Sequence, residues 1–214
     1  MPQAPALTAL VFTFLLAGCS SEAAFMLSQP IDHAVNRPTP LAFGIHVTPD
    51  AEENPIDPPE RFSGYHVGLD YEVTEEELDA DVPIYAICSG TVIYSGFAEG
   101  YGGLIVEECR MGRESVTVLY GHLLIESLPP KDTEVQAGDT LGILAPAKSH
   151  DSDGNRKHLH LGIHRGEASD VRGYVQSEDE LTEFIDPKDI LPQFGMEGVL
   201  PDMTPYWEEV STPS

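Results

Sequence analysis

Short apolar runs separated by glycine dominate the chain from residue 41 onward. Leu41–Val47 and Gly64–Tyr71 read as strands, and Pro83–Ile87, Thr91–Phe97, Leu104–Glu108, Ser115–Tyr120 and Thr140–Leu144 follow. Gly90, Gly96, Gly100, Gly102, Gly103, Gly112 and Gly138 punctuate them, as turns between strands require. The last run, Lys157-His158-Leu159-His160-Leu161-Gly162-Ile163-His164, predicts a strand with its histidines on one face, because residues two apart point the same way. One helix is predicted: Ser177 with Glu180 forms a capping box, Leu181, Phe184 and Ile185 follow, and Pro187 is expected to stop it. No series of strands alternating with long helices is present, so the pattern predicts a mainly β, antiparallel domain.

The flanks read differently. Ala6–Ala17 is apolar but short for a bilayer span, and matches the apolar core of a signal peptide. It ends in Leu16-Ala17-Gly18-Cys19, which resembles the bacterial lipobox, whose cysteine is lipidated and becomes the first mature residue. Met-Pro-Gln-Ala-Pro at residues 1–5 departs from that pattern in carrying no Lys or Arg. The alternative is an ordinary secretory signal with an incidental cysteine. The expected organisation is a lipoprotein signal at 1–18, a tether at 19–40, one domain at 41–192 and a tail at 193–214. The product is expected to be exported to the cell envelope and lipid-anchored, at the outer membrane or periplasm if the cell is Gram-negative.

Charge narrows the partners. With 36 acidic and 11 basic residues the net charge is −25, which excludes nucleic acid as an expected ligand. It also argues against a basic membrane-binding patch, and a monomer is expected. Export permits disulfides. Cys88 precedes one predicted strand and Cys109 ends the next, so an antiparallel hairpin would bring the two close in register. A bond between them is one reading and free thiols the other; no base is evident that would make Cys88 a nucleophile.

The candidate chemistry lies in three segments, His66-Val67-Gly68-Leu69-Asp70, Tyr120-Gly121-His122 and His158-Leu159-His160. On a straight strand His66 and Asp70 stand roughly 13 Å apart at ~3.3 Å per residue, so they meet one ion only if the backbone bends. Gly68 is the residue expected to permit that bend. Taken singly these are weak signals, since histidines on a strand are commonly structural. His46 reads as structural or exposed, and His164 as structural or as a neighbour that supports the ligands. Asp151–Asn155 has the composition of a calcium loop, but its glycine comes too early and Gly162 stands where the twelfth-position Glu belongs.

In combination, His-x-x-x-Asp, Tyr-x-His and His-x-His in this order resemble the lysostaphin and LytM-type zinc endopeptidases. Phe43-Gly44, Ile84–Val92, Tyr101–Val106, Val135–Gly142 and Asp186-Pro187 resemble other segments of that family, over about residues 41–191. The resemblance implies an antiparallel sheet or sandwich of lysostaphin-like (duplicated hybrid motif) type with one short C-terminal helix. It implies Zn2+ held by His66, Asp70 and His160, with His122 and His158 as the catalytic pair. Such a site keeps one coordination position for water and lowers the pKa of that water to about 7. The activity implied is an endopeptidase acting on cross-links or stem peptides of peptidoglycan. The alternative is a non-catalytic wall-binding lipoprotein that regulates other hydrolases. A biotinyl- or lipoyl-carrier reading of Val135–Leu141 lacks the lysine that would be modified. The loops at 71–81 and 147–156 are long for the family, and the bond cleaved is left open.

Overall fold

The computed structural model describes residues 26–56, 59–167 and 170–191. Cys19, the signal, the first residues of the tether and the C-terminal tail lie outside them. The strands in chain order are β1 (His46–Val47), β2 (Gly64–His66), β3 (Gly68–Glu72), β4 (Pro83–Tyr85), β5 (Gly90–Ala98), β6 (Gly102–Met111), β7 (Glu114–Leu123), β8 (Glu134–Val135), β9 (Thr140–Ile143), β10 (His158–Arg165) and β11 (Tyr174–Val175). The four-residue α1 (Pro187–Ile190) follows. Six strands form the central sheet in the order β3-β10-β7-β6-β5-β8; β1-β2-β11 and β4-β9 form smaller sheets, and the strands of the described residues pair antiparallel throughout. The fold is therefore the mainly β, antiparallel arrangement that the strand pattern predicts, with the short C-terminal helix that the family resemblance implies.

The alternation on β10 decides where the core and the chemistry sit. Leu159, Leu161 and Ile163 are fully buried in the main core with Leu69, Val118, Tyr120 and Ile105. His158, His160 and His164 take the other parity and face the opposite side of the sheet. Burial of the three aliphatic side chains, at ~1.5–3 kcal/mol each, fixes this register, since a one-residue slip would turn the histidines into the core.

Cys88 and Cys109 are joined, with Cα atoms 6.3 Å apart. The β5–β6 hairpin pairs Gly90 with Cys109, which brings the two cysteines together. Within that core Tyr120 Oη donates to Glu107 Oε2 (2.7 Å) and accepts from the Ile87 amide (2.9 Å). Burial pushes the Glu107 carboxyl up to about 7, with the Tyr120 hydrogen bond working against the shift.

Three expectations are corrected. Residues 26–40 do not hang free as a tether. Ile31 is fully buried and pairs with Ile84, and the carbonyls of Pro30, Pro38 and Leu41 accept from the amides of Tyr85, Glu72 and Asp70 at 2.8, 3.1 and 3.0 Å. Proline has no amide to donate, yet its carbonyl serves an exposed strand edge well. Only His46–Val47 of the expected 41–47 strand pairs as one, because the carbonyls of Leu41 and Ala42 are directed to Asp70 and His66 and Gly44 turns the chain at φ +76°. Near the C terminus the capping box of Ser177 and Glu180 opens a 3-10 turn, Glu178–Glu183, in place of an α-helix. Phe184 and Ile185 then leave it to pair with β10, and Pro187 starts α1 instead of ending a helix. Proline fits a first helical position, where no amide partner is needed, and the Asp186 side chain caps the Lys188 amide.

Candidate metal centre

His66, Asp70 and His160 arrive from three strands and meet. The bend expected between His66 and Asp70 is present, but it falls at Val67, where the chain passes from β2 in the small sheet to β3 in the central one. Gly68 has a different role. A Cβ there would lie 2.5 Å from His160 Cε1 and 2.7 Å from His160 Nε2, so the missing side chain makes room for the imidazole. The register supports the meeting, since His160 pairs directly with Asp70 across β3 and β10.

Three donor atoms form a near-equilateral triangle. His66 Nε2 to His160 Nδ1 is 3.0 Å, His160 Nδ1 to Asp70 Oδ1 is 3.1 Å and His66 Nε2 to Asp70 Oδ1 is 3.3 Å. Donors on a tetrahedral zinc with bonds of about 2.0–2.1 Å stand about 3.3 Å apart, so the triangle matches one face of that tetrahedron. The side chains fit the ion in chemistry as well. His66 Nδ1 donates to the Ala42 carbonyl at 3.2 Å, which fixes the tautomer that leaves Nε2 free for a metal. Burial pushes His160 down to about 4, with His66 and His158 also opposing its charge, so the ring offers a lone pair. Burial alone would raise Asp70, but the adjacent His158 and His66 hold its carboxyl well below the usual range. A buried His/Asp/His cluster suited to zinc is therefore present.

His122 and His158 flank the triangle, their rings 4.4 Å apart. His158 Nε2 is 3.1 Å from Asp70 Oδ2, and its Nδ1 donates to the Arg156 carbonyl at 3.0 Å. His122 is placed by a β-bulge. Gly103 pairs with Leu123 and Leu104 with Gly121, so His122 is the extra residue on β7. It takes φ +66°, a conformation costing roughly 1 kcal/mol outside glycine. Its amide donates to the Tyr101 carbonyl and its carbonyl accepts from the Ala145 amide, at 3.1 and 2.9 Å, which holds the strained turn. Burial, with His158 and His160 beside it, pushes His122 well down, so it is neutral at neutral pH.

Asp70, His122, His158 and His160 all line a cleft of about 350 Å³. Phe62, Tyr101 and Tyr174 add aromatic surface to its lining, and Asn155 and Gln176 contribute amides. Nothing in the strand pattern pointed to Phe62 or Tyr174; they come from a loop and from a two-residue strand. Arg156 was also missed: a lone charged residue before a strand carries no local signal. His164 stands apart from the triangle, 3.8 Å from Asp170, whose carboxylate is gripped by Arg172. Asp151 and Asp153 hold backbone amides of Ile125 and Gly100 and act as loop ties.

The model of peptidase family M23 matches residues 64–171, half of the chain and all five histidine and aspartate positions above. No curated protein matches. Among solved structures, the catalytic domain of lysostaphin from Staphylococcus simulans is 18% identical with a TM-score of 0.48, over 72% of this chain and 91% of that one. A CbpA structure from L. salivarius REN is 20% identical with a TM-score of 0.48, over 77% and 93%. Csd3 of Helicobacter pylori is 18% identical with a TM-score of 0.43, over 72% of this chain, which spans only 36% of the Csd3 chain. By the match of the family model to half its length, carrying the residues that form the buried cluster, this chain belongs to peptidase family M23.

Proposed function

We propose that the protein is a zinc-dependent endopeptidase that cleaves peptide bonds of bacterial peptidoglycan. His66, Asp70 and His160 hold the ion, and His122 and His158 move protons. The observation that carries the reading is the triangle of donors 3.0–3.3 Å apart with two more imidazoles on the cleft wall beside it. Bound there, zinc supplies Lewis acidity at the scissile carbonyl and at the attacking water.

The chain's own groups account for the remaining requirements. His66 closes the buried end of the site, since it does not line the cleft. The pair His122 and His158 faces the space where a peptide carbonyl would lie. His122, kept neutral by burial, offers a lone pair to a water proton. In amide hydrolysis the water oxygen bonds to the carbonyl carbon, the C–N bond breaks and the amine nitrogen takes a proton; the two imidazoles carry that proton across. Phe62, Tyr101 and Tyr174 give the substrate backbone an apolar surface and shield the site from bulk water. The envelope location and the Cys19 lipid anchor belong to the same proposal, with peptidoglycan as the partner and the domain limits at 41–192 amended by the packed segment that begins at residue 26.

Digestion of purified sacculi with the protein, with and without chelator, tests the reading. Release of peptide fragments that a chelator stops and added zinc restores is the expected result. Intact sacculi under every metal condition would overturn it.

A further inference from the structure

We propose that Arg156 is a positioning residue that restricts Asp70 to binding the metal through a single oxygen; this rests on the zinc reading above. The two oxygens of Asp70 have separate surroundings. Oδ1 belongs to the triangle with His66 Nε2 and His160 Nδ1. Oδ2 accepts from Arg156 Nη2 at 2.8 Å and lies 3.1 Å from His158 Nε2. A carboxylate is free to bind a cation through one oxygen or both. Here the second oxygen is engaged in a charge-assisted hydrogen bond, and bidentate binding would sacrifice it.

The guanidinium is itself held in place. Its Nη1 donates to Glu60 Oε1 and its Nε to Glu72 Oε1, both at 2.8 Å. Three carboxylates thus take three nitrogens of one planar fork, and lysine, a point charge on a flexible stem, cannot reproduce that. The main chain of the same residue accepts from His158 Nδ1 at 3.0 Å. Arg156 therefore sets the orientation of a metal-binding carboxylate with its side chain and of a catalytic imidazole with its carbonyl. A zinc held by His66, His160 and one oxygen of Asp70 would keep a place for water, and a second carboxylate oxygen would compete for it.

The test loads the metal-free full chain with Co2+ and reads visible absorption, with zinc affinity measured in parallel by competition against a chelator. The unaltered chain is expected to give the intense bands of a four-coordinate ion. Arg156→Gln and Arg156→Lys are expected to lose intensity as Oδ2 joins the ion, and guanidinium added to Arg156→Gly is expected to restore the original spectrum. Circular dichroism shows whether each variant is folded, and the lysine variant, which keeps charge and bulk, carries the test if the others are not. A folded lysine variant with unaltered spectrum and affinity overturns the role of Arg156 and leaves the zinc reading standing. An unaltered chain that takes up neither Co2+ nor zinc overturns that reading, and this proposal with it.

Discussion

Gly68 and His160 share one space: a single added carbon on Gly68 would come within 2.5 Å of the His160 ring. The same added carbon would lie 2.8 Å from the Leu161 carbonyl oxygen, so moving the ring alone would not relieve the crowding and β10 would have to shift as well. Gly68→Ala is therefore expected to rotate His160 out of the triangle and weaken zinc binding about 10–100-fold, as loss of ligand orientation does. Chelator competition measures it. An alanine variant with unchanged affinity would show that the ring has another way to reach the ion.

Ligand and proton carrier separate by mutation. His160→Ala is expected to abolish zinc binding and turnover together. His122→Ala is expected to keep zinc and lose about 10²–10⁴-fold in turnover, the usual contribution of a positioned proton-transfer group. Metal content by mass spectrometry beside sacculus digestion distinguishes them, and an active His160→Ala protein would contradict the assignment.

Glu107 gives a pH dependence of stability apart from the site. Its carboxyl is raised from the ordinary 4.5 to about 7, so the folded chain binds more protons than the unfolded one between those values. Stability from this group is therefore full below about pH 4.5 and lost as pH rises through about 7, by on the order of 3 kcal/mol. Glu107→Gln keeps an acceptor for Tyr120 and is expected to flatten that slope. Melting curves from pH 4.5 to 8 check it; parallel curves for the two proteins would refute it.

Cys88 and Cys109 close a loop with a sequence separation of 21. A loop of that size confers about 3 kcal/mol through the unfolded chain. The double serine variant is expected to lose that much in denaturant unfolding, with zinc affinity unchanged, since neither cysteine lies among the residues that line the cleft.

The legible parts of the sequence were those with a local signature. Strand periodicity located β5, β6, β7 and β10 within a few residues, and the parity of His158 and His160 placed them on one face. The histidines and Asp70 were legible because their order and surroundings resemble one family. What stayed hidden depends on partners distant in the chain. The proline-rich stretch before residue 41 looks unstructured until the open edges of β3 and β4 are known to need its carbonyls. The acidic loop at 72–81 looks wholly solvated, yet Glu77 is drawn down to about 2 by its hydrogen bonds with Arg37, and Lys157 donates to the carbonyls of Glu77, Leu78 and Ala80. The capping box correctly marked a turn, but pairing of Phe184 and Ile185 with β10 outweighed continuation of a helix.

The carbonyls of Pro30, Pro38 and Leu41 have one more consequence. They occupy amides on the outer rims of two sheets that would otherwise invite a foreign strand. A fragment trimmed to begin at residue 41 would bare Glu72 and Tyr85 as sticky margins and leave the pocket of Ile31 empty. Such a fragment is expected to associate with its own copies in sedimentation, while the His/Asp/His cluster, which keeps its ties to Leu41 and Ala42, stays assembled.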